Sequence, residues 1–205
     1  MGLNHAAIYA KIKELTVSDL PVSVRLGEVI QLCSSDVPHE SWSELSNLDY
    51  DRDVNSLASW IPDVFKKEPA PFPIKALWVG LSNPSSGGVV WADMSVAAMG
   101  EYDSDDVEYR WLWKNPRHYP TKTISYARSS SLRRIYEIGY VTNGLGNSAE
   151  WPLCLAFAAF ATRTILGGKE TKTMGSVAPC VGVMVGFDDG DMLKIGDLTD
   201  QGEWI

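Results

Sequence analysis

The chain opens with apolar residues at helical spacing. Ile8, Ile12 and Leu15 recur at i, i+4 and i+7, and this period places them on one face of a helix. The pattern predicts an amphipathic helix over residues 3–15. Pro21 ends the segment, since proline rarely continues a helix.

The rest of the first third is less regular. Residues 22–33 fit neither the helical nor the strand period, and residues 34–47 have the composition of a loop. A second helix is predicted over residues 51–67, where apolar positions share one face. Pro62 is expected to break or kink it, and a proline-rich connector follows at residues 68–73.

The middle of the chain is predicted to form strands. Residues 74–82 are apolar and bounded by prolines, which is typical of a buried strand. A turn over residues 83–88 and a second strand over residues 89–99 favour an antiparallel hairpin. Residues 107–114 alternate in character and predict a third strand.

Two helices are predicted after these strands, over residues 131–141 and 147–166. At the start of the second, Asn147 and Glu150 have the spacing of a capping box. The second helix is apolar nearly all round. We therefore expect other elements to enclose it.

A hairpin is predicted near the C-terminus, with strands over residues 177–187 and 192–195. Between them stands Asp188-Asp189-Gly190, and Asp-Gly suits a type I′ turn. Helices followed by strands, then helices, then a hairpin are typical of an α+β protein. We predict one α+β domain over residues 1–205, with an antiparallel sheet, helices packed on one face and one largely buried central helix.

Charge is segregated along the chain, which has a formal net charge of −8. Residues 1–108 carry 17 acidic and 7 basic side chains, residues 109–172 carry 3 and 10, and residues 173–205 carry 6 and 1. A negative field attracts a basic partner and disfavours nucleic acid and anionic membranes. The expected partner is therefore another protein with a basic surface, and the sequence does not indicate an oligomeric state.

Two acidic segments are candidates for the partner-binding surface. The first contains five acidic residues, Glu101, Asp103, Asp105, Asp106 and Glu108. The second is the C-terminal hairpin with its tail, where Asp188, Asp189 and Asp191 stand at the turn. Either segment alone is typical of a solvated loop. Two such segments in one molecule favour a negative docking surface.

An aromatic segment follows the first acidic segment. If residues 107–114 form a strand, Tyr109, Trp111 and Trp113 share one face. Such a face either packs in a core or, when exposed, supplies strong binding contacts, because Trp and Tyr dominate interface energetics. Trp111 and Trp113 are therefore candidate partner-binding residues, with burial in the core as the other interpretation.

Binding to nucleic acid or another polyanion is the alternative function. Residues 109–136 contain seven basic side chains, interleaved aromatics and no acid, and single-stranded nucleic acids bind to surfaces of this kind. The competing interpretation is that these bases pair internally with the surplus acids, which the net charge favours.

The chain lacks the common catalytic and cofactor motifs. It contains no phosphate-binding loop, GxGxxG, HExxH or GxSxG, and its three histidines and three cysteines have no metal-type spacing. Cys154 with His118 is one conceivable thiol–base pair, but apolar surroundings suppress thiol reactivity. We predict no catalytic residues, no cofactor and no metal, and an enzyme with an unrecognised site is the third hypothesis.

A family resemblance rests on the C-terminal hairpin. In size, acidity and the strand–Asp turn–strand VGVMVGFDDGDMLKIGDL at residues 181–198, the chain resembles the immunity proteins that bacteria pair with polymorphic toxins. The resemblance implies a cytoplasmic inhibitor whose acidic surface occupies the basic active cleft of a nuclease-like toxin. The lack of a visible signal peptide or membrane segment leads to the same expected compartment.

Overall fold

The computed structural model describes residues 2–114, 117–120, 126–167, 174, 176–188 and 190–205, with the backbone alone at 113 and 114. These residues form eight helices: α1 (His5–Thr16), α2 (Val22–Asp36), α3 (Ser41–Ser46), α4 (Tyr50–Ser56), α5 (Trp60–Lys67), α6 (Trp111–Lys114), α7 (Ser130–Gly139) and α8 (Asn147–Leu166). The helices predicted at the N-terminus and after the first strands are confirmed.

The described strands form one main sheet and a two-stranded ribbon. They are β1 (Ile74–Ser82), β2 (Ser85–Ser86), β3 (Val89–Val90), β4 (Asp93–Met99), β5 (Val177–Phe187) and β6 (Met192–Thr199). The main sheet has the order β4-β1-β5-β6, and β2 pairs with β3.

The α+β class is confirmed, but the sheet is mixed. The β1–β4 and β5–β6 pairs are antiparallel as predicted, whereas β1 and β5 are parallel. Parallel neighbours need a long crossover, and here the connection from the β1–β4 hairpin to β5 contains α7 and α8. The sheet is therefore largely, not wholly, antiparallel.

Helix α8 is the predicted buried central helix. Nearly all of its residues are buried, and it packs against β1, β5 and β6 as well as α1, α2, α4 and α7. A helix that is apolar around its circumference needs this enclosure. Among the described helices, none combines the length and apolarity that crossing a bilayer requires.

Both faces of the main sheet are covered. On β1, Leu77 and Val79 belong to the large core shared with the helices, whereas Trp78 belongs to a smaller cluster. Tyr102 and Trp111 pack in that smaller cluster. The larger helices therefore lie on one face, as predicted, and the short α6 covers the other.

The strand predicted over residues 107–114 is wrong. The carboxylate of Asp106 accepts the backbone N–H groups of Glu108 at 3.2 Å and Arg110 at 2.7 Å. Tyr109 has a φ of 53°, a conformation that interrupts an extended strand. A turn closed by an aspartate side chain therefore overrides the alternating pattern.

The first third also differs from its pattern. Helix α2 spans the residues with no clear period, and α3 lies within the predicted loop. The helix predicted over residues 51–67 is two helices, α4 and α5, and Pro62 stands in the first turn of α5. The helix breaks before Pro62 and not at it. Proline has no backbone N–H, but the N–H groups of a first helical turn have no partner within the helix, so proline is tolerated there.

The cysteines differ in accessibility, which gives a simple prediction. Cys33 and Cys154 are buried and Cys180 is exposed. Burial raises the pKa of Cys33 to about 12 and that of Cys154 well above its ordinary value, because a thiolate is poorly solvated there. We expect Ellman's reagent to modify one thiol in the native protein and all three in denaturant, with Cys180→Ser as the control. A second fast-reacting thiol in the native protein would contradict this burial.

Candidate functional site

A cavity of about 510 Å³ opens at the ends of β1 and β5. Parallel neighbours bring their carboxyl ends to one edge of a sheet, where α/β sheets commonly bind ligands. The first residues of α8 line its helical side. Its lining residues are Leu81, Ser82, Asn83, Asn147, Glu150, Trp151, Phe187, Asp188, Gly190 and Asp191. We call this cavity the acidic pocket, because the ionisable groups among these residues are all carboxylates.

Glu150 is 5% exposed and is held by neutral donors. The side-chain amide of Asn83 donates to Oε1 at 2.7 Å, and the hydroxyl of Tyr140 donates to Oε2 at 2.5 Å. Burial and the bond to Glu150 raise the pKa of Tyr140, so the proton stays on the tyrosine. The ion pairs of the described residues include none to Glu150.

The two aspartates of the pocket are bonded to indole groups. Trp151 Nε1 donates to Asp191 Oδ2 at 2.7 Å, and Trp78 Nε1 donates to Asp188 Oδ1 at 3.1 Å. Arg117 Nη1 lies 3.5 Å from Asp188 Oδ1 while its guanidinium lies over the Trp78 ring. Within the described part of the chain, one of the three carboxylates therefore has a cationic neighbour, and the pocket keeps a negative charge.

The uncharged lining groups complete the pocket. The hydroxyl oxygen of Ser82 is buried and has no hydrogen-bond partner among the described residues, and a hydroxyl both donates and accepts. Leu81, Trp151 and Phe187 supply apolar walls. This combination suits a cationic side chain with an apolar stem. In the part of the chain that is described, no cluster of His, Cys, Asp and Glu is suited to hold a metal ion.

The first acidic segment, residues 101–108, lies near the same turn. We call it the acidic loop. Tyr102 within the loop and Tyr109 just after it pack in the smaller cluster with Met192, which follows the 188–191 turn. Both predicted acidic segments therefore border this cluster.

The acidic loop is only partly neutralised. Its predicted site residues Glu101, Asp103, Asp105 and Glu108 are exposed, and Asp106 is partly buried. Arg110 lies 3.7 Å from Asp106 and 2.9 Å from Glu108, and the ion pairs of the described residues include none to the other three acids. Exposed pairs of this kind are weak. The loop therefore keeps most of its negative charge at the surface.

The other predicted site residues have different outcomes. Asp188 and Asp191 come together in the acidic pocket, while Asp189 lies outside the described residues. Trp111 is 5% exposed and meets the ring of Tyr102 edge to face at 5.1 Å. The core interpretation of this residue therefore matches its position, because a short helix turns it away from the surface. The side chain of Trp113 lies outside the described residues.

Glu150 was not predicted as a site residue. The capping-box interpretation is wrong, because Gly146 with a φ of 53° precedes the helix and Asn147 is already its first residue. The side chain of Glu150 instead bonds to Asn83 and Tyr140. One signal was present in the sequence: Glu150 is the single acid in an otherwise apolar helix.

Four of the described basic residues in the segment 109–136 are paired: Arg110, Arg117, Arg133 and Arg134 each have an acidic partner. Arg128 is exposed and has no ion pair among the described residues, and the side chains of Lys114 and Lys122 lie outside them. This pairing reduces the positive charge that a polyanion would meet.

No protein-family model, curated protein or solved structure matches the chain. The geometry of the site is therefore the basis for the function proposed below.

Proposed function

We propose that this protein acts by binding another protein, whose basic surface docks on the acidic pocket and the acidic loop. The observation that carries the proposal is the bonding of Glu150 and Asp191 to neutral donors. Neutral donors orient a carboxylate without cancelling its charge. A cation entering the pocket therefore meets fixed, uncompensated negative charge in a partly desolvated site, where Coulomb attraction is stronger than in water.

An arginine or lysine side chain of the partner fits the pocket best. Its methylene stem packs against the apolar walls while its donors reach the carboxylates. Arginine has the advantage, because its planar fork matches carboxylates and stacks on aromatic rings such as that of Trp151. A buried arginine of this kind is a frequent hot spot in interfaces.

The more specific form of the proposal is an immunity protein that inhibits a nuclease-like toxin. A nuclease cleft is basic because it binds phosphates, and a negative surface on the inhibitor speeds association with it. The support for this form is the chain's acidity together with the two acidic segments that border one cluster.

The pocket is tested with a small probe, acetyl-Gly-Arg-Gly-amide, titrated into ¹⁵N-labelled protein. The indole N–H signals of Trp151 and Trp78 report on Asp191 and Asp188, to which they donate. We expect the probe to shift both signals. The double variant Glu150→Gln, Asp191→Asn should bind it about tenfold or more weakly, because both charges are removed while hydrogen-bonding groups remain.

The matched control is the double variant Asp103→Asn, Asp105→Asn, which changes the net charge equally outside the pocket. It should bind the probe nearly as well as the natural chain. Equal weakening in both variants would show that only the overall charge attracts the peptide, and unshifted indole signals would contradict a binding pocket.

The immunity form of the proposal is tested with the protein that the neighbouring gene encodes, which this form requires to be a nuclease-like toxin. We expect a complex at low salt whose affinity falls by about a hundredfold in the pocket variant, since truncating hydrogen-bonded charge contacts in interfaces costs several kcal/mol. No complex at low salt would contradict the immunity form. A complex that neither double variant weakens would contradict the acidic surface as the docking site.

A further inference from the structure

A second cavity, of about 540 Å³, lies where the start of α2 meets α4 and the end of α8. It is separate from the acidic pocket and shares no lining residue with it. Two arginines line it, Arg25 from α2 and Arg163 from α8. The two arginines are far apart in the sequence, and the fold brings them together.

Arg25 is an incompletely bonded buried cation. It is 4% exposed, and its guanidinium lies 4.7 Å from the centre of the Phe160 ring. Its Nη atoms donate to the Leu15 carbonyl at 3.5 Å and to the Thr164 hydroxyl at 3.3 Å. Its Nε–H has no acceptor among the described residues. A buried donor without an acceptor costs free energy, and more so when it is charged.

Arg163 adds a second cation to the same cavity. Its Nη1 donates to the Ile195 carbonyl at 2.9 Å, and its guanidinium lies 4.5 Å from the centre of the Trp204 ring. Burial and the charge of Arg163 lower the pKa of Arg25. The charges of Asp51 and Asp19 act in the opposite direction on Arg25. Among the described residues, neither arginine forms an ion pair. Two like charges in one cavity repel each other, and an anion placed between them offsets that repulsion.

The acids of this cavity do not neutralise the arginines by direct contact. Asp51 is engaged with Ser23, accepting its backbone N–H at 3.2 Å and its hydroxyl. Asp19 is exposed and, within the described part of the chain, forms no ion pair with either arginine, although its charge acts to raise the pKa of both. The N-terminus of α2, a helix of 15 residues, also faces the cavity through Pro21 and Val22, and Asp51 already accepts one of its backbone N–H groups, that of Ser23. Helix N-termini favour anions.

We propose that this cavity binds a phosphate-type oxyanion between the guanidinium groups of Arg25 and Arg163. A tetrahedral oxyanion accepts hydrogen bonds from two guanidinium groups that approach from different helices, and arginine forks match phosphate oxygens. The phosphate group comes either from free inorganic phosphate or from a phosphate monoester. The site lies apart from the acidic pocket, so the two proposals fail independently.

The test measures thermal unfolding with inorganic phosphate or phosphoserine, each compared with sodium chloride at equal ionic strength. A ligand that binds only the folded state raises the melting temperature, so we expect either phosphate compound, but not chloride, to do so. The compound with the tighter binding identifies the source of the phosphate group. Equal shifts with chloride and with both phosphate compounds would overturn the proposal.

Arg163→Gln should weaken phosphate binding by about tenfold or more, because it removes a charged fork. Arg163→Lys, which keeps the charge, is the second variant should the first fail to fold, and it should bind at intermediate strength. The control Arg128→Gln removes an exposed arginine elsewhere and should bind like the natural chain. A purely structural arginine would lower the melting temperature and leave the phosphate-induced increase intact, and that result would also overturn the proposal.

Discussion

Replacing Asp53 with alanine is expected to lower the free energy of unfolding by about 3–5 kcal/mol. Asp53 in α4 is 5% exposed and holds the start of α7. It accepts the Ser129 hydroxyl at 2.6 Å and the backbone N–H groups of Ser131 at 2.8 Å and Ser130 at 3.2 Å. Alanine leaves three donors without their acceptor, two of them in buried residues, and loosens α7 from α4.

Urea unfolding followed by circular dichroism measures this change, and the slope should stay constant if only stability changes. The control is Asp49→Ala, which removes a single exposed bond from the backbone N–H of Arg52 at 3.2 Å and should cost about 1 kcal/mol. If both variants lose the same stability, Asp53 does not hold α7 in the way described.

The carboxylate of Asp53 also makes the free energy of unfolding depend on pH, and the direction of that dependence follows from its pKa. Burial raises the pKa of Asp53, but the hydrogen bonds from Ser129, Ser131 and Ser130 outweigh it, and the pKa lies below its ordinary value. The stability that ionised Asp53 contributes is fully present above its pKa in the unfolded chain, which is about 4. It is lost as the pH falls through the lower pKa of Asp53 in the folded protein. Asp53→Asn should therefore lose less stability than the natural chain between pH 5 and 2.

The sequence predicts well those elements that depend on neighbouring residues in the chain. Helix α8 follows from its uninterrupted apolar character, and the β5–β6 hairpin follows from two apolar runs around an Asp-Gly turn. The parallel pairing of β1 with β5 has no local signal. It depends on how α7 and α8 carry the chain across the sheet, and packing between distant elements decides that.

The candidate sites show the same limit. The position of Asp188 and Asp191 between β5 and β6 was predictable, because an Asp-Gly turn between apolar runs is a local signal. Glu150 was missed, since its partner Asn83 is 67 residues away. The cavity of Arg25 and Arg163 was also missed, because its residues are far apart in the sequence. Whether a basic side chain has an acidic partner can be seen only once the fold is known.

The enclosure of α8 leads to the second large effect, which is expected from Phe157→Ala. Phe157 is fully buried, and its ring centre lies 6.1 Å from that of Tyr50. Tyr50 is itself fixed, because its hydroxyl donates to the Leu45 carbonyl at 2.8 Å. Removing the ring leaves a cavity that the surrounding helices and sheet cannot fill, so we expect a loss of about 3–5 kcal/mol in the free energy of unfolding.

Phe157→Leu is the matched control, because leucine fills most of the space and should cost about 1 kcal/mol. Urea midpoints are measured with both variants. A large loss with alanine and a small loss with leucine would show that the lost volume, and not substitution as such, lowers the stability. A Phe157→Ala variant that loses under about 1 kcal/mol would mean that its neighbours collapse into the cavity. In that case α8 would not be the rigid centre on which Glu150 and Arg163, at its two ends, are positioned.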